Sequence, residues 1–207
     1  SRVASDPTAH PKSLSAPSQK VGAFLTPPVS PLIASPHFHV VLVEPEIPNN
    51  TGNIGRTCVA TGCRLHLVRP LGFELTEKAC RRAGLDYWPR LDWVEHADWS
   101  TYEGEMDAGR TWFLSTKATR SVFDVTLRRG DHLVFGRETR GLAREVLEAH
   151  PERVVSLPLA EGERSLNLAT AVCAVVYEGV RQLRARGECE MTRDGRLVVS
   201  GASRTTS

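Results

Sequence analysis

Three stretches of the chain gather amides, hydroxyls, a carboxylate and glycine, and each follows an apolar run. The first is Pro45-Glu-Ile-Pro-Asn-Asn-Thr-Gly-Asn-Ile-Gly-Arg56. Asn49, Asn50 and Asn53 offer hydrogen bonds there, Gly52 and Gly55 admit close backbone approach, and Arg56 falls one turn into the helix that follows. The second is Leu133-Val-Phe-Gly-Arg-Glu-Thr-Arg-Gly-Leu142, where Gly136 frees the backbone to accept a flat ligand and Glu138 sets a carboxylate at a strand end. The third is Val155-Ser-Leu-Pro-Leu-Ala-Glu-Gly-Glu-Arg-Ser-Leu-Asn167. Ser165 or Asn167 would cap the helix beyond it; capping needs one of the two, not both. Such groups bind and orient a polar ligand. The spacing excludes the dinucleotide fingerprint G-x-G-x-x-G, and the chain has no G-x-x-x-x-G-K-[ST] phosphate loop. Taken singly, each stretch also fits an ordinary strand–loop–helix connection.

The elements that must position these loops alternate short β-rich runs with helical patterns, which predicts an α/β fold with a parallel sheet. Strands are expected over 39–44, 64–69, 112–115, 133–136 and 154–157. A helix is expected over 51–61, capped by Asn50 or Thr51 and closed by Gly62. Leu168, Ala171, Val172, Val175, Val176, Val180 and Leu183 recur at three- and four-residue spacing, so a long helix with a wide apolar stripe is expected over 167–184. In open α/β sheets ligands bind beyond the carboxyl ends of the strands, where all three stretches fall.

The chain has 207 residues, of which 41% are hydrophobic and 24% charged, as expected of one ordinary globular domain with tails. No apolar run approaches the roughly 20 residues that span a bilayer. The net charge of +2 comes wholly from residues 1–36, where Arg2, Lys12 and Lys20 face Asp6 alone. Bulk charge therefore gives no argument for nucleic acid. Its distribution does: arginines cluster at 81–82, 128–129, along 137–144 and along 181–186, and beyond residue 36 the lysines are Lys78 and Lys117. Arginine grips phosphate bidentately and stacks on bases, although a GC-rich codon bias would leave the same excess. Five cysteines, an odd number without a CxxC pair, indicate neither a disulfide framework nor a zinc site, and the histidines lack ligand spacing, so no metal is expected. Residues 1–36 hold seven Pro and seven Ser and are expected to be a disordered extension. The globular body is placed at 37–186. Asp194-Gly195 allows a small hairpin, but 187–207 reads better as a polar tail.

In order and in placement after strands, the three stretches resemble the three motifs of the SPOUT methyltransferases: an Asn/Gly/Arg motif, a Phe-Gly-x-Glu-x-x-Gly-Leu motif and a Ser-Leu-Asn motif opening the last helix. Within that class the resemblance is strongest to the tRNA wobble-position 2′-O-methyltransferases. It rests on Glu-Pro-Glu-Ile-Pro-x-Asn-Thr-Gly-Asn-Ile at 44–54, Arg-Arg-Ala-Gly-Leu-Asp-Tyr at 81–87 and Thr-Lys-x-Thr at 116–119, and it covers residues 38 to 184.

The resemblance implies a mostly parallel sheet with helices on both faces and a C-terminal trefoil knot, which chain-topology rules alone would disfavour. It implies S-adenosylmethionine as cofactor, held by Leu114, Ser115, Thr116, Gly136, Glu138, Leu157, Ser165 and Leu166. It implies transfer of the methyl group to a ribose 2′-hydroxyl, with Arg56 foremost among the catalytic residues and Ser165 and Asn167 beside it. A guanidinium keeps its proton near neutrality, so Arg56 fits an orienter of phosphate and stabiliser of a developing oxyanion better than a base. Arg81, Arg82 and Lys117 are the expected RNA contacts, a tRNA anticodon loop the expected substrate, a homodimer the expected assembly and the cytoplasm the expected compartment. A 2′-O-methyltransferase for another tRNA or rRNA site, or a non-catalytic RNA-binding relative, would carry much the same motifs.

Overall fold

A computed structural model describes residues 33–75 and 86–199. Its centre is a six-stranded, all-parallel sheet of β1 (Phe38–Val43), β2 (Arg64–Val68), β3 (Trp93–His96), β4 (Thr111–Leu114), β5 (Asp131–Phe135) and β6 (Val154–Val155). The spatial order is β3-β2-β1-β5-β4-β6. From β1 the chain runs outward one way through β2 and β3, then crosses to the other side. The order therefore reverses between β1 and β5, and a crevice opens beyond their carboxyl ends.

Side chains alternate across the sheet with period two, and both faces are covered. Phe38, Val40, Leu42, Leu65, Leu67, Leu133 and Phe135 pack beneath α1 (Pro48–Thr61) and α4 (Leu168–Ala185). Val41, Val43, Val68, Phe113 and Val134 pack on the other face with Tyr102 of α2 (Trp99–Glu105) and with Val146 and Leu147 of α3 (Arg144–Ala149). The helix α4 buries Val172, Val175, Val176, Gly179, Val180 and Leu183. Gly179 is required there, because a Cβ would lie 2.5 Å from the Phe38 ring. Among the described residues no helix is long and apolar enough to cross a membrane.

Beyond shifts of one or two residues at strand and helix ends, several features differ from the sequence reading. The helix α1 starts at Pro48, three residues earlier than expected, with Pro at its first position and no side-chain cap from Ile47. Neither Asn50 nor Thr51 caps it; a distant carboxylate, described below, takes the N–H groups at its entrance. The short β3 and α2 went unread. Their cues are slight: β3 is the four residues Trp-Val-Glu-His, and α2 announces itself chiefly by its cap, Asp98 accepting from Thr101 N at 2.8 Å. Residues 187–199 also behave as part of the body. Cys189 is buried, Val198 N donates to Glu190 O, Thr192 N donates to Arg196 O around the Asp194-Gly195 turn, and Val199 sits against Gly62. At the other end Ile33 N donates to Asp92 Oδ2 at 3.0 Å, a carboxylate that also holds Arg64.

Four adjacent strands place an imidazole on the α2 side of the sheet: His132 on β5, His39 on β1, His66 on β2 and His96 on β3. His39 Nδ1 and His66 Nε2 share a proton at 2.8 Å, His66 Nδ1 and His96 Nε2 at 2.9 Å, and His39 stacks on His132 with centroids 4.2 Å apart. The Tyr102 hydroxyl donates to His132 Nδ1 at 2.7 Å. Burial, followed by the charges of His132 and Arg64, lowers His39 to about 3. Burial and Arg110 lower His132 to about 4, and His66 and His96 shift the same way, burial first.

Candidate active site

The three glycine- and amide-bearing stretches leave the carboxyl ends of β1, β5 and β6, and the loop after β4 leaves its carboxyl end between them. Two of the loops interlock. Glu138, just past β5, accepts from Glu46 N at 2.8 Å, Ile47 N at 3.3 Å and Asn50 Nδ2 at 3.0 Å. A carboxylate at a helix entrance is favoured by the helix dipole, and this one fixes the two residues that lead into α1. In return Glu46 accepts from Thr139 N at 3.1 Å and from Thr139 Oγ1 at 2.8 Å. Arg137 pairs with Glu44, a non-glycine residue held at φ 51°. The backbone also doubles back tightly. Arg137 and Gly141 bond to each other through both N–H groups, and a Cβ on Gly136 would overlap the backbone of Gly141 and Leu142.

Asn50 carries the connection to the third stretch. Its Oδ1 accepts from Asn167 Nδ2 at 2.9 Å, and Asn167 Oδ1 accepts from Ala169 N at 2.9 Å and Thr170 N at 3.3 Å. Asn167 is therefore the cap of α4 and, at the same time, the tie to α1. The chain Glu138–Asn50–Asn167 joins segments up to 117 residues apart. Each member is a polar group with an assigned partner, the condition for holding such a site rigid.

The remaining cofactor candidates lie on the loops that leave β4, β5 and β6. Leu114 and Leu157 are half-buried at the ends of β4 and β6, and Leu166 leaves 45% of its surface open. Ser115 N donates to Val155 O, joining the two strand ends, while Ser115 Oγ accepts from Lys117 N at 3.2 Å. Thr116, Lys117 and Ser165 are exposed. Arg56 is exposed on α1, its guanidinium carbon 4.5 Å from the centre of the Tyr87 ring and Nη2 3.5 Å from Asp86 Oδ1. Arg81 and Arg82 lie outside the described residues. The sequence reading missed Glu46, Thr139, Asp86 and Tyr87 as site-forming residues. Only the fold makes them neighbours, since a hydrogen bond across 93 residues has no local signal.

A parallel sheet of this order, with three interlocked loops at its switch point, defines a class, and the chain belongs to the SpoU rRNA Methylase family, which its residues 37–177 match. Among its relatives, the tRNA (cytidine(34)-2'-O)-methyltransferase of Saccharophagus degradans is 50% identical over 151 residues, 72% of this chain and 98% of the relative. A solved structure bearing on 2-OH methylation of C/U34 on tRNA is 43% identical with a TM-score of 0.67, covering 72% of this chain and 97% of that one. The SpoU methyltransferase AviRb of Streptomyces viridochromogenes, solved with the cofactor AdoMet, is 25% identical with a TM-score of 0.63, covering 73% of this chain and 62% of that one.

Proposed function

We propose that this chain is an S-adenosylmethionine-dependent methyltransferase that methylates the ribose 2′-hydroxyl of the wobble nucleotide of tRNA, cytidine 34 or a modified uridine 34. The observation that carries the reading is the meeting of the three motif loops through Glu138, Asn50 and Asn167 in a body similar, nearly end to end, to relatives bearing that activity in their names. When bound, S-adenosylmethionine supplies an electrophilic methyl group on a sulfonium.

Leu114, Ser115, Thr116, Gly136, Leu157, Ser165 and Leu166 would hold the cofactor, chiefly through backbone groups and apolar contact. Glu138 would act by fixing the loop that carries Gly136. Arg56 would orient a phosphate next to the target ribose and stabilise the developing oxyanion, and a phosphate oxygen of the RNA would receive the hydroxyl proton. Ser165 and Asn167 would line the same site, with Asn167 acting mainly as the tie already described. Lys117, with Arg81 and Arg82, would contact the anticodon loop, whose unstacked bases are the readable part of a tRNA.

The proposal includes a homodimer in which α1 and α4 pack across subunits and both chains build each site. Tyr177, half exposed on α4, suits such a contact. The proposal also includes a C-terminal trefoil knot. In its favour, the chain returns from β4 to the centre of the sheet before passing outward to β6, and the 120–127 loop is tied on both sides, by Val122 N to Ser156 O and by Leu127 N to Gln182 Oε1 of α4. The proposal keeps the extension outside the catalytic body before residue 33, since Ile33 is already bonded to Asp92, and takes the cytoplasm as the compartment. The test is transfer of labelled methyl from S-adenosylmethionine to an unmodified tRNA transcript. Wild-type protein should label it and Arg56→Ala should lose at least ~100-fold in kcat; unchanged turnover in Arg56→Ala would remove Arg56 from the reaction.

A further inference from the structure

Arg56 is long, exposed and on the solvent side of a helix, a setting in which a guanidinium ordinarily samples many rotamers. Here it is confined by a segment that follows β2 in sequence. Tyr87 leaves only 2% of its surface accessible, and its hydroxyl donates to Gly52 O, the carbonyl one turn before Arg56. Its ring edge also lies 3.4 Å from where a Cβ on Gly55 would project, with Leu91 and Trp88 at 3.1 and 3.2 Å. The ring is thus locked against α1 at the two residues adjoining the arginine's own turn. The guanidinium carbon lies over that ring, 4.5 Å from its centroid, so the aromatic surface is the seat of the charged group. Asp86, itself exposed, meets one guanidinium nitrogen at 3.5 Å, long for an ion pair and open to competition.

We propose that Tyr87 is a positioning residue for methyl transfer, holding the Arg56 guanidinium over its ring, and that Asp86 is a placeholder anion which the substrate phosphate displaces. The inference rests on the role given to Arg56 above and adds how that side chain is made ready. A guanidinium held over a ring keeps its charge and its donors while losing the freedom that would otherwise be lost at each turnover. Asp86 keeps the donors paired until a phosphate arrives, and phosphate, with more charge and a better match to the guanidinium fork, replaces it.

The experiment uses the full chain with Tyr87→Leu, Tyr87→Phe and Asp86→Asn, each also combined with Arg56→Lys. Tyr87→Leu should lower kcat about tenfold while cofactor affinity by calorimetry stays within about twofold. Tyr87→Phe, which keeps the ring, should restore most of the rate. In the Arg56→Lys background, Tyr87→Leu should cost little more, because the partner it positions is gone. Asp86→Asn, at an exposed site, should lower the KM for tRNA about threefold. Full kcat in Tyr87→Leu, an equal extra loss in the Arg56→Lys background, or an unchanged KM in Asp86→Asn would overturn the inference. Proton NMR of the Arg56 side chain decides independently of activity. The wild-type resonances should show an upfield ring-current shift, and unshifted resonances overturn the contact even if Tyr87→Leu does not fold. A wild-type protein that labels no tRNA would instead refute the proposed function.

Discussion

Lowering the pH below about 6.5 offers protons to five imidazoles that burial holds below their ordinary value, His37 and the row of four. Unfolded, each histidine titrates near 6.5; folded, burial holds His39 at about 3 and His132 at about 4, with His66 and His96 also lowered. The unfolded state therefore binds more protons than the folded state from pH 6.5 downward, and stability must fall as pH falls. The stabilising contribution is fully present above 6.5 and is lost progressively toward the folded values. At pH 5, His39 and His132 would each contribute a loss of about 2 kcal/mol, and allowing for partial solvent screening the pair costs about 2–4 kcal/mol. The groups facing the row oppose one another: Arg64 and Arg110 disfavour protonation, whereas Glu105 beside His96 and Asp107 near His132 favour it. Tyr102, pushed up by burial, stays neutral throughout. A domain of ordinary stability, about 5–15 kcal/mol, would feel this as a large shift. The assay is urea unfolding followed by tryptophan fluorescence at about pH 7.5 and pH 5, a range that stops above most carboxylate titrations. His39→Gln, which keeps a hydrogen-bonding group without titrating, should lose part of the slope. Unfolding free energies equal within about 0.5 kcal/mol at the two pH values would refute the assignment of neutral, buried imidazoles.

Glu138→Gln keeps the size of the side chain but turns an amide toward donors now facing a carboxylate, so it should cost about 2 kcal/mol in thermal unfolding and weaken cofactor binding in calorimetry. Gly136→Ala forces a methyl group into the backbone of Gly141 and Leu142; cofactor binding should vanish, and retention of normal affinity would show that the turn is not needed. Tyr177→Asp on α4 should convert the proposed dimer to a monomer in light scattering and abolish methyl transfer, whereas an active monomer would defeat the shared site.

Much of this arrangement was legible beforehand, and the gaps have physical causes. The strands β1, β2, β4 and β5 and the helix α4 announce themselves by apolar runs or a 3.6-residue stripe, because each buries a continuous face. The strand β3, with Glu95 and His96 among its four residues, has no such run. The start of α1 was misplaced because its entrance is closed by Glu138, some 90 residues away, rather than by a neighbouring Asn or Thr. The imidazole row was invisible for the same reason: each histidine occupies an unremarkable position, and only strand register aligns them. Of the site, the meeting of the three loops was anticipated, including a helix-capping role for Ser165 or Asn167, and the structure assigns that cap to Asn167. What motif order could not convey is that Glu138 faces the first loop, that Glu46 and Thr139 reciprocate, and that Arg56 leans on Tyr87.

The most direct test of the account is to map ribose methylation in the tRNA of a strain lacking this chain and in the same strain complemented with it, by mass spectrometry of nuclease digests. The account predicts loss of 2′-O-methylation at nucleotide 34 in the deletion, restored by the wild-type chain and not by Arg56→Ala. Full methylation of nucleotide 34 in the deletion strain, with the loss appearing at another tRNA position or in ribosomal RNA, would contradict it.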